Sequence, residues 1–280
     1  MFYRSLRPYI VTGWLIAVLL VIAAGAGLFV PNLYSPFITS PNMVAGLFVQ
    51  DFVSLLAAPI LVAAMVWTQR GSRRALVVWC SVLVYTAYYF SFYVFDNVYN
   101  VLYPLYMALL GLNVYSLGGL LVNVKLDVFA AGVDSKMPVR TLSIILLIAL
   151  LFVPLWGAMI VQDIQAQQAR RTALVFVLDL CFLLPAIAIA AVQLWQRRPL
   201  GYLLGGILLV KAAVSGILLA VSTLWGAQLG HTFAMEELGM YFFLSIAGST
   251  GVFFYFRHLH DATVRAALPA TEPVVRHAVH

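Results

Sequence analysis

Apolar residues in this chain come in runs of about twenty, divided by short polar stretches. Eight runs can be marked, at about 9–30, 45–68, 75–95, 99–121, 141–162, 173–195, 200–226 and 233–256. At ~1.5 Å of rise per residue, a helix of that length crosses a hydrocarbon core of ~30 Å. Barrel strands would need segments of about ten residues with alternating polarity, and these runs neither alternate nor stop so soon. The pattern predicts an all-α polytopic membrane protein of about eight transmembrane helices. Composition agrees: 64% of the residues are apolar and 9% charged, where a soluble domain carries about 25% charged residues.

The basic residues set the expected orientation. Arg4 and Arg7 precede the first span, Arg70, Arg73 and Arg74 lie between the second and third, and Lys125, Lys136 and Arg140 between the fourth and fifth. Arg197 and Arg198 separate the sixth from the seventh, and Arg257 follows the eighth. With eight crossings all of these fall on one side, which the positive-inside rule makes cytoplasmic, together with both termini. Arg170 and Arg171 are the exception and fall on the other side. The first span resembles a signal peptide in its charge-then-apolar order. Its apolar run exceeds the 7–15 residues of a signal core, and its removal would reverse the charge parity, so it is read as retained. The net charge of +6 is split among short loops. It therefore points to the bilayer as partner and not to nucleic acid.

Two spans share a segment. Phe48-Val49-Gln50-Asp51, Leu55-Leu56 and Trp67 align without a gap on Phe176-Val177-Leu178-Asp179, Leu183-Leu184 and Trp195, 128 residues later. Only the prolines, Pro59 and Pro185, are offset, by two residues. The chain accordingly divides into a first four-helix repeat at 1–124, a cytoplasmic linker at 125–140, a second four-helix repeat at 141–257 and a flexible cytoplasmic tail at 258–280. Four spans per half bring the second half in with the orientation of the first, which predicts parallel repeats. Extending the match pairs Tyr85 with Lys211.

A carboxylate within a span costs at least ~2.5 kcal/mol, so Asp51 and Asp179 are the first candidates for a site. Each lies about six residues inside its span, roughly 9 Å deep. Lys211 stands near the bilayer centre, with a stem long enough to lift its ammonium towards that depth. The expected arrangement is an ion-paired cluster between the halves, with Tyr85 as a hydroxyl donor and Gln50 beside it. The plainer reading is a charge cluster that only locks the halves together. Pro59 and Pro185 remove amide donors and free the carbonyls of Leu55 and Cys181, as at kinks beside cavities, although proline is frequent in membrane helices anyway.

Tyr85, Tyr88, Tyr89 and Phe92 share a helical face, and Tyr93, Tyr99, Tyr103 and Tyr106 continue the aromatic density, most of which reads as an interfacial belt. Glu236 and Glu237 open the last span. There they suit the helix dipole or the rim of a vestibule. Gln50, Ser54, Asn113 and Gln193 are read chiefly as interhelical hydrogen-bonding groups.

No histidine falls within a span, which argues against haem and histidine-based metal centres, so neither cofactor nor metal is expected. Cys80 and Cys181 differ too much in depth to form a disulfide. No HExxH, GxSxG or phosphate loop is present. The aspartates do not carry the flanking residues of intramembrane aspartyl proteases, and Lys211 lacks the setting of a retinal lysine.

Val177-Leu178-Asp179-Leu180, Leu184-Pro185, the run Gln196 to Tyr202, Val210-Lys211, Gln50-Asp51 and the tyrosine-rich third span together resemble a pattern of uncharacterised multi-pass membrane proteins of bacteria. That resemblance implies a bacterial inner-membrane setting and brings no activity with it. The residues lead to a protein that binds or carries a small polar or cationic solute at an acidic site in the outer half, between two repeats. Two other readings stand beside it: a membrane enzyme acting on a lipid or isoprenoid through paired aspartates, and a structural or accessory subunit. Oligomeric state is not legible in the residues.

Overall fold

A computed structural model describes residues 1–34, 36, 41–96, 98–168, 173–232 and 235–261. Among the described residues eight helical spans are long and apolar enough to cross a membrane, and no boundary differs from the sequence expectation by more than four residues. They are α1 (Arg7–Phe29), α2 (Pro41–Gln69), α3 (Arg73–Phe95) and α4 (Tyr103–Asn123), then a fifth and sixth span in pieces, then α10 (Pro199–Gln228) and α11 (Met235–Arg257). The short α5 (Leu126–Ala130) lies in the linker. The fifth span is α6 (Val139–Ile148), a 3-10 turn at Ala149–Leu151 and α7 (Phe152–Ala166). The sixth is α8 (Ala173–Leu178), a π-turn at Asp179–Leu183 and α9 (Leu184–Trp195).

Proline sets several of these boundaries. Pro8, Pro104, Pro185 and Pro199 each sit in the first turn of a helix, where a missing N–H is harmless. Pro104 also explains why α4 starts at Tyr103 and not at Tyr99. The preceding turn is held by the Asn100 side chain, which accepts from the Leu102 amide at 2.9 Å. The third helix begins with Ser72, whose hydroxyl accepts from the Ala75 amide, after Gly71 at φ +91° supplies the turn.

Helices α1 to α4 form one bundle, with α1 on α2 and α4, and α3 on α2 and α4. Helix α10 packs on α9 and α11 within the second half, on α2 and α3 across to the first, and on α5 of the linker. The most deeply packed windows are therefore those of α3, 67% buried, and α10, 61% buried, against 11% for the fifth span. Groups shared by the two halves lie where α10 and the sixth span meet α2 and α3.

The described loops that carry Arg4, Arg73, Arg74, Lys125 and Arg197 meet at one end, and there the chain is stitched together. The Tyr3 amide donates to the Asn123 carbonyl at 2.9 Å and the Lys125 amide to Met1 at 2.9 Å. The last described residues cross the same linker: the Asp134 amide donates to His258 at 2.9 Å and the His260 amide to Gly132 at 2.8 Å. The linker, expected to be only polar, thus docks the N-terminal residues, the residues just after α11 and, through α5, the side of α10.

The tail is held, against expectation, from His258 to Asp261. Arg74 Nε donates to the Leu259 carbonyl at 2.7 Å, and Arg73 Nη1 to His260 at 3.1 Å. The Asp261 carboxylate accepts from the Ser72 hydroxyl and from the Arg73 and Arg74 amides, at 2.7 and 3.2 Å, so it caps α3. The Lys136 amide holds the nearby Asp134 carboxyl below the usual carboxylate range. Asp261→Ala removes the cap, with an expected loss of about 1 kcal/mol, or ~2 °C in the unfolding midpoint of the detergent-solubilised protein. An unchanged midpoint would show that the tail contact carries no stability. Asn97, Arg170, Arg171, His277 and His280 lie outside the described residues.

Candidate functional site

Asp51 lies ten residues into α2 and is 1% exposed. Its two oxygens are taken separately. Tyr34, from the segment after α1, donates to Oδ2 at 2.6 Å, and Tyr93 of α3 donates to Oδ1 at 2.8 Å. Tyr106 of α4 packs on Tyr93 with ring centroids 4.9 Å apart and accepts from Asn100 Nδ2 at 3.2 Å. Gly27 of α1 makes room for this group, because a Cβ there would stand 1.9 Å from Asp51 Oδ2. Every member lies between Gly27 and Tyr106, in the first half of the chain. Tyr93 and Tyr106, grouped with the interfacial belt by sequence, are 0% exposed. Tyr99, at 59%, fits the belt.

Asp179 has another environment. It opens the π-turn, in which the Leu184 amide reaches back to the Asp179 carbonyl. Pro185 has no N–H to continue an α-helical ladder at that point, and the wider turn absorbs one extra residue. An extra residue changes the helical phase by about 100°, which decides the neighbour that the carboxylate faces. Tyr88 of α3 donates to its Oδ1 at 2.8 Å and Trp156 Nε1 of α7 to its Oδ2 at 3.0 Å. Lys211 of α10 completes the group, its Nζ 3.8 Å from the centroid of the Tyr88 ring. The ammonium and the carboxylate are not in direct contact: Lys211 makes a cation–π contact with Tyr88 and interacts with Asp179 electrostatically at longer range.

The two aspartates have no hydrogen-bond partner in common. Helix α3 serves both, Tyr93 on one face and Tyr88 on another. Tyr85 donates to neither carboxylate; it bonds Gln50 Oε1 at 2.8 Å, and Gln50 Nε2 donates to Ser54 at 3.0 Å. That chain borders the rings of Tyr85, Tyr88, Tyr89 and Phe92, whose successive centroids are 4.8 to 6.1 Å apart. Asn113 is engaged by Thr86 at 2.6 Å. Glu236 is exposed in the first turn of α11, away from both aspartates in the hydrogen-bond network, whereas Glu237 lines a cavity together with His231. A second cavity, at the basic end, is lined by residues of α2 and α3 and by Asp261. Neither aspartate lines either of them.

Trp156 and Tyr34 were not among the sequence candidates. Tyr34 sits between spans and Trp156 in the least buried one, so no periodicity marked them. Among the described residues no three histidine, cysteine, aspartate or glutamate side chains are grouped to hold a metal ion, and both cysteines are free thiols.

The fold and its buried polar groups define a polytopic α-helical membrane protein with two separate intramembrane carboxylates. No family model matches the chain, and no match to it was found among curated proteins or solved structures.

Proposed function

We propose that this membrane protein binds or carries a small polar or cationic solute at Asp179, on the seam between its halves, and that Asp51 is a structural carboxylate of the first half. One observation supports the first part above the rest: the buried Lys211 ammonium lies on the Tyr88 ring, whose hydroxyl bonds Asp179. Aromatic faces with a carboxylate beyond them are a known means of recognising ammonium groups. Here the chain's own cation occupies such a place. A solute cation that displaces Lys211 meets the same ring and the same carboxylate, and an intramembrane ionisable pair is by default a place where something is exchanged.

The π-turn fits this reading, because π-bulges occur frequently at functional sites. The setting we propose is a bacterial inner membrane with the basic end in the cytoplasm, following the charge distribution. It makes the opposite end the outer one. An enzyme using the aspartates as an acid and base pair would need them in one site, and their separate partners give that reading no support.

The test is uptake of methylammonium, dimethylammonium and choline into liposomes containing the purified protein. Uptake of at least one cation above protein-free liposomes is expected, falling roughly 10- to 100-fold in Asp179→Asn, the scale of a lost charge-assisted contact. No uptake of any of the three, or unchanged uptake in Asp179→Asn, overturns the proposal. So does an Asp179→Asn protein that fails to fold and is restored by Lys211→Met, since the cluster would then be a structural lock.

A further inference from the structure

The outer end of α10 and the first turn of α11 border a half-open cavity of about 140 Å³. Its lining includes Ser222, Thr223, Gly226, His231 and Glu237. Most of these groups offer electron pairs. The Thr223 hydroxyl commits its hydrogen to the Leu219 carbonyl at 2.9 Å, which leaves its oxygen as an acceptor. Gly226 belongs to the last turn of α10, the negative end of the helix dipole.

Two polar atoms here are orphaned. Ser222 Oγ and His231 Nδ1 are shielded from solvent and have no hydrogen-bond partner among the described residues. Buried polar atoms are satisfied in the great majority of cases, so two unpartnered ones in residues that line a cavity are exceptions that a bound guest would relieve. The last carbonyls of α10 are already taken, since Gly226 accepts from the Leu229 and His231 amides at 3.1 and 3.0 Å, so the demand for positive charge comes from Glu237.

We propose that this cavity is an outer vestibule that binds a small ammonium-type cation. From it a line of polar groups leads inward. Ser222, Ser215 and Lys211 are separated by seven and four residues and so share one face of α10. On α11, Tyr241 lies one turn below Glu237 and interacts electrostatically with it, and Tyr89, in the ring cluster beside Tyr88, interacts with Tyr241 and Asp179. The role as an entrance rests on the reading of Asp179 as the cation site; the charge preference of the vestibule does not.

The test reads that preference directly. Protein with Cys80→Ala and Cys181→Ala carries Ser222→Cys, is reconstituted in liposomes and is treated with two methanethiosulfonates of similar size, one ending in an ammonium and the other in a sulfonate. Rates are normalised to free cysteine. The ammonium reagent is expected to react about tenfold faster, the scale by which a charged cleft concentrates counter-ions, and Glu237→Gln is expected to remove most of that preference. Methylammonium is expected to slow the reaction. Equal rates, faster reaction of the sulfonate, no reaction with either reagent, or a preference unmoved by Glu237→Gln overturns the proposal. His231→Cys gives the same readout if Ser222→Cys is not recovered as monodisperse protein. Because labelling needs no transport, a selective vestibule in liposomes that take up no cation would sink the transport reading alone.

Discussion

Asp51→Ala is expected to destabilise the protein by roughly 2–6 kcal/mol, the sum for two buried donors at ~1–3 kcal/mol each. The magnitude depends on what is left behind. Interhelical hydrogen bonds in membrane proteins average only about 0.6 kcal/mol, which alone would predict a mild effect. The alanine variant, however, strands the Tyr34 and Tyr93 hydroxyls, whose residues are 4% and 0% exposed, without an acceptor. The unsatisfied-donor term therefore dominates. Tyr34→Phe and Tyr93→Phe each remove one donor and leave a carboxylate still bonded once, for about 1 kcal/mol each. Denaturant unfolding in detergent would measure all three. An Asp51→Ala protein as stable as the wild type would show that the first-half carboxylate does not hold its bundle together.

Gly201→Ala is expected to cost about 3 kcal/mol or more and to reduce the folded yield sharply, at the upper end of what overpacking does. A Cβ on Gly201 would stand 2.2 Å from both the Gln193 carbonyl carbon and the Leu194 nitrogen. These are backbone atoms of the last turn and a half of α9, and no rotamer change can clear them. Helices α9 and α10 would have to separate at the point where the short turn after Trp195 joins them. Gly157→Ala is the control, since a Cβ there meets nothing within 4 Å. It should be neutral or gain up to ~1 kcal/mol from helix propensity. If both variants unfold at the same temperature, the close approach of α9 and α10 does not limit stability.

The spans were legible because a hydrophobic run of twenty residues has one economical solution in lipid, an unbroken hydrogen-bonded helix. Partner choice inside the bundle has no such code. Asp51 and Asp179 drew attention as costly groups, but their donors came from a segment between spans, Tyr34, and from the most exposed span, Trp156. Tyr93 and Tyr106 carry the same residue type as a headgroup belt, and only packing distinguishes the two cases. Lys211 was expected against a carboxylate because opposite charges attract. The ammonium makes its close contact with a tyrosine ring, an arrangement that composition does not reveal. The π-turn did leave a trace: Pro185 follows Asp179 two residues sooner than Pro59 follows Asp51. That offset brings the missing amide close enough to the aspartate to alter the turn that displays it.

The separate partners of the two carboxylates also impose an order on biosynthesis. Tyr34 and Tyr93 lie 17 and 42 residues from Asp51, so the first carboxylate finds both donors as soon as α3 has left the ribosome. Tyr88 must wait for Asp179, 91 residues later, which at ordinary translation speeds means about 5–20 s. During that interval α3 is anchored to the young bundle on one face while the other still presents an unpaired tyrosine to lipid. The seam thus closes well after the first bundle, and a newly made first half is a recognisable intermediate whose Tyr88 hydroxyl still lacks its acceptor, open to any chaperone that attends membrane insertion.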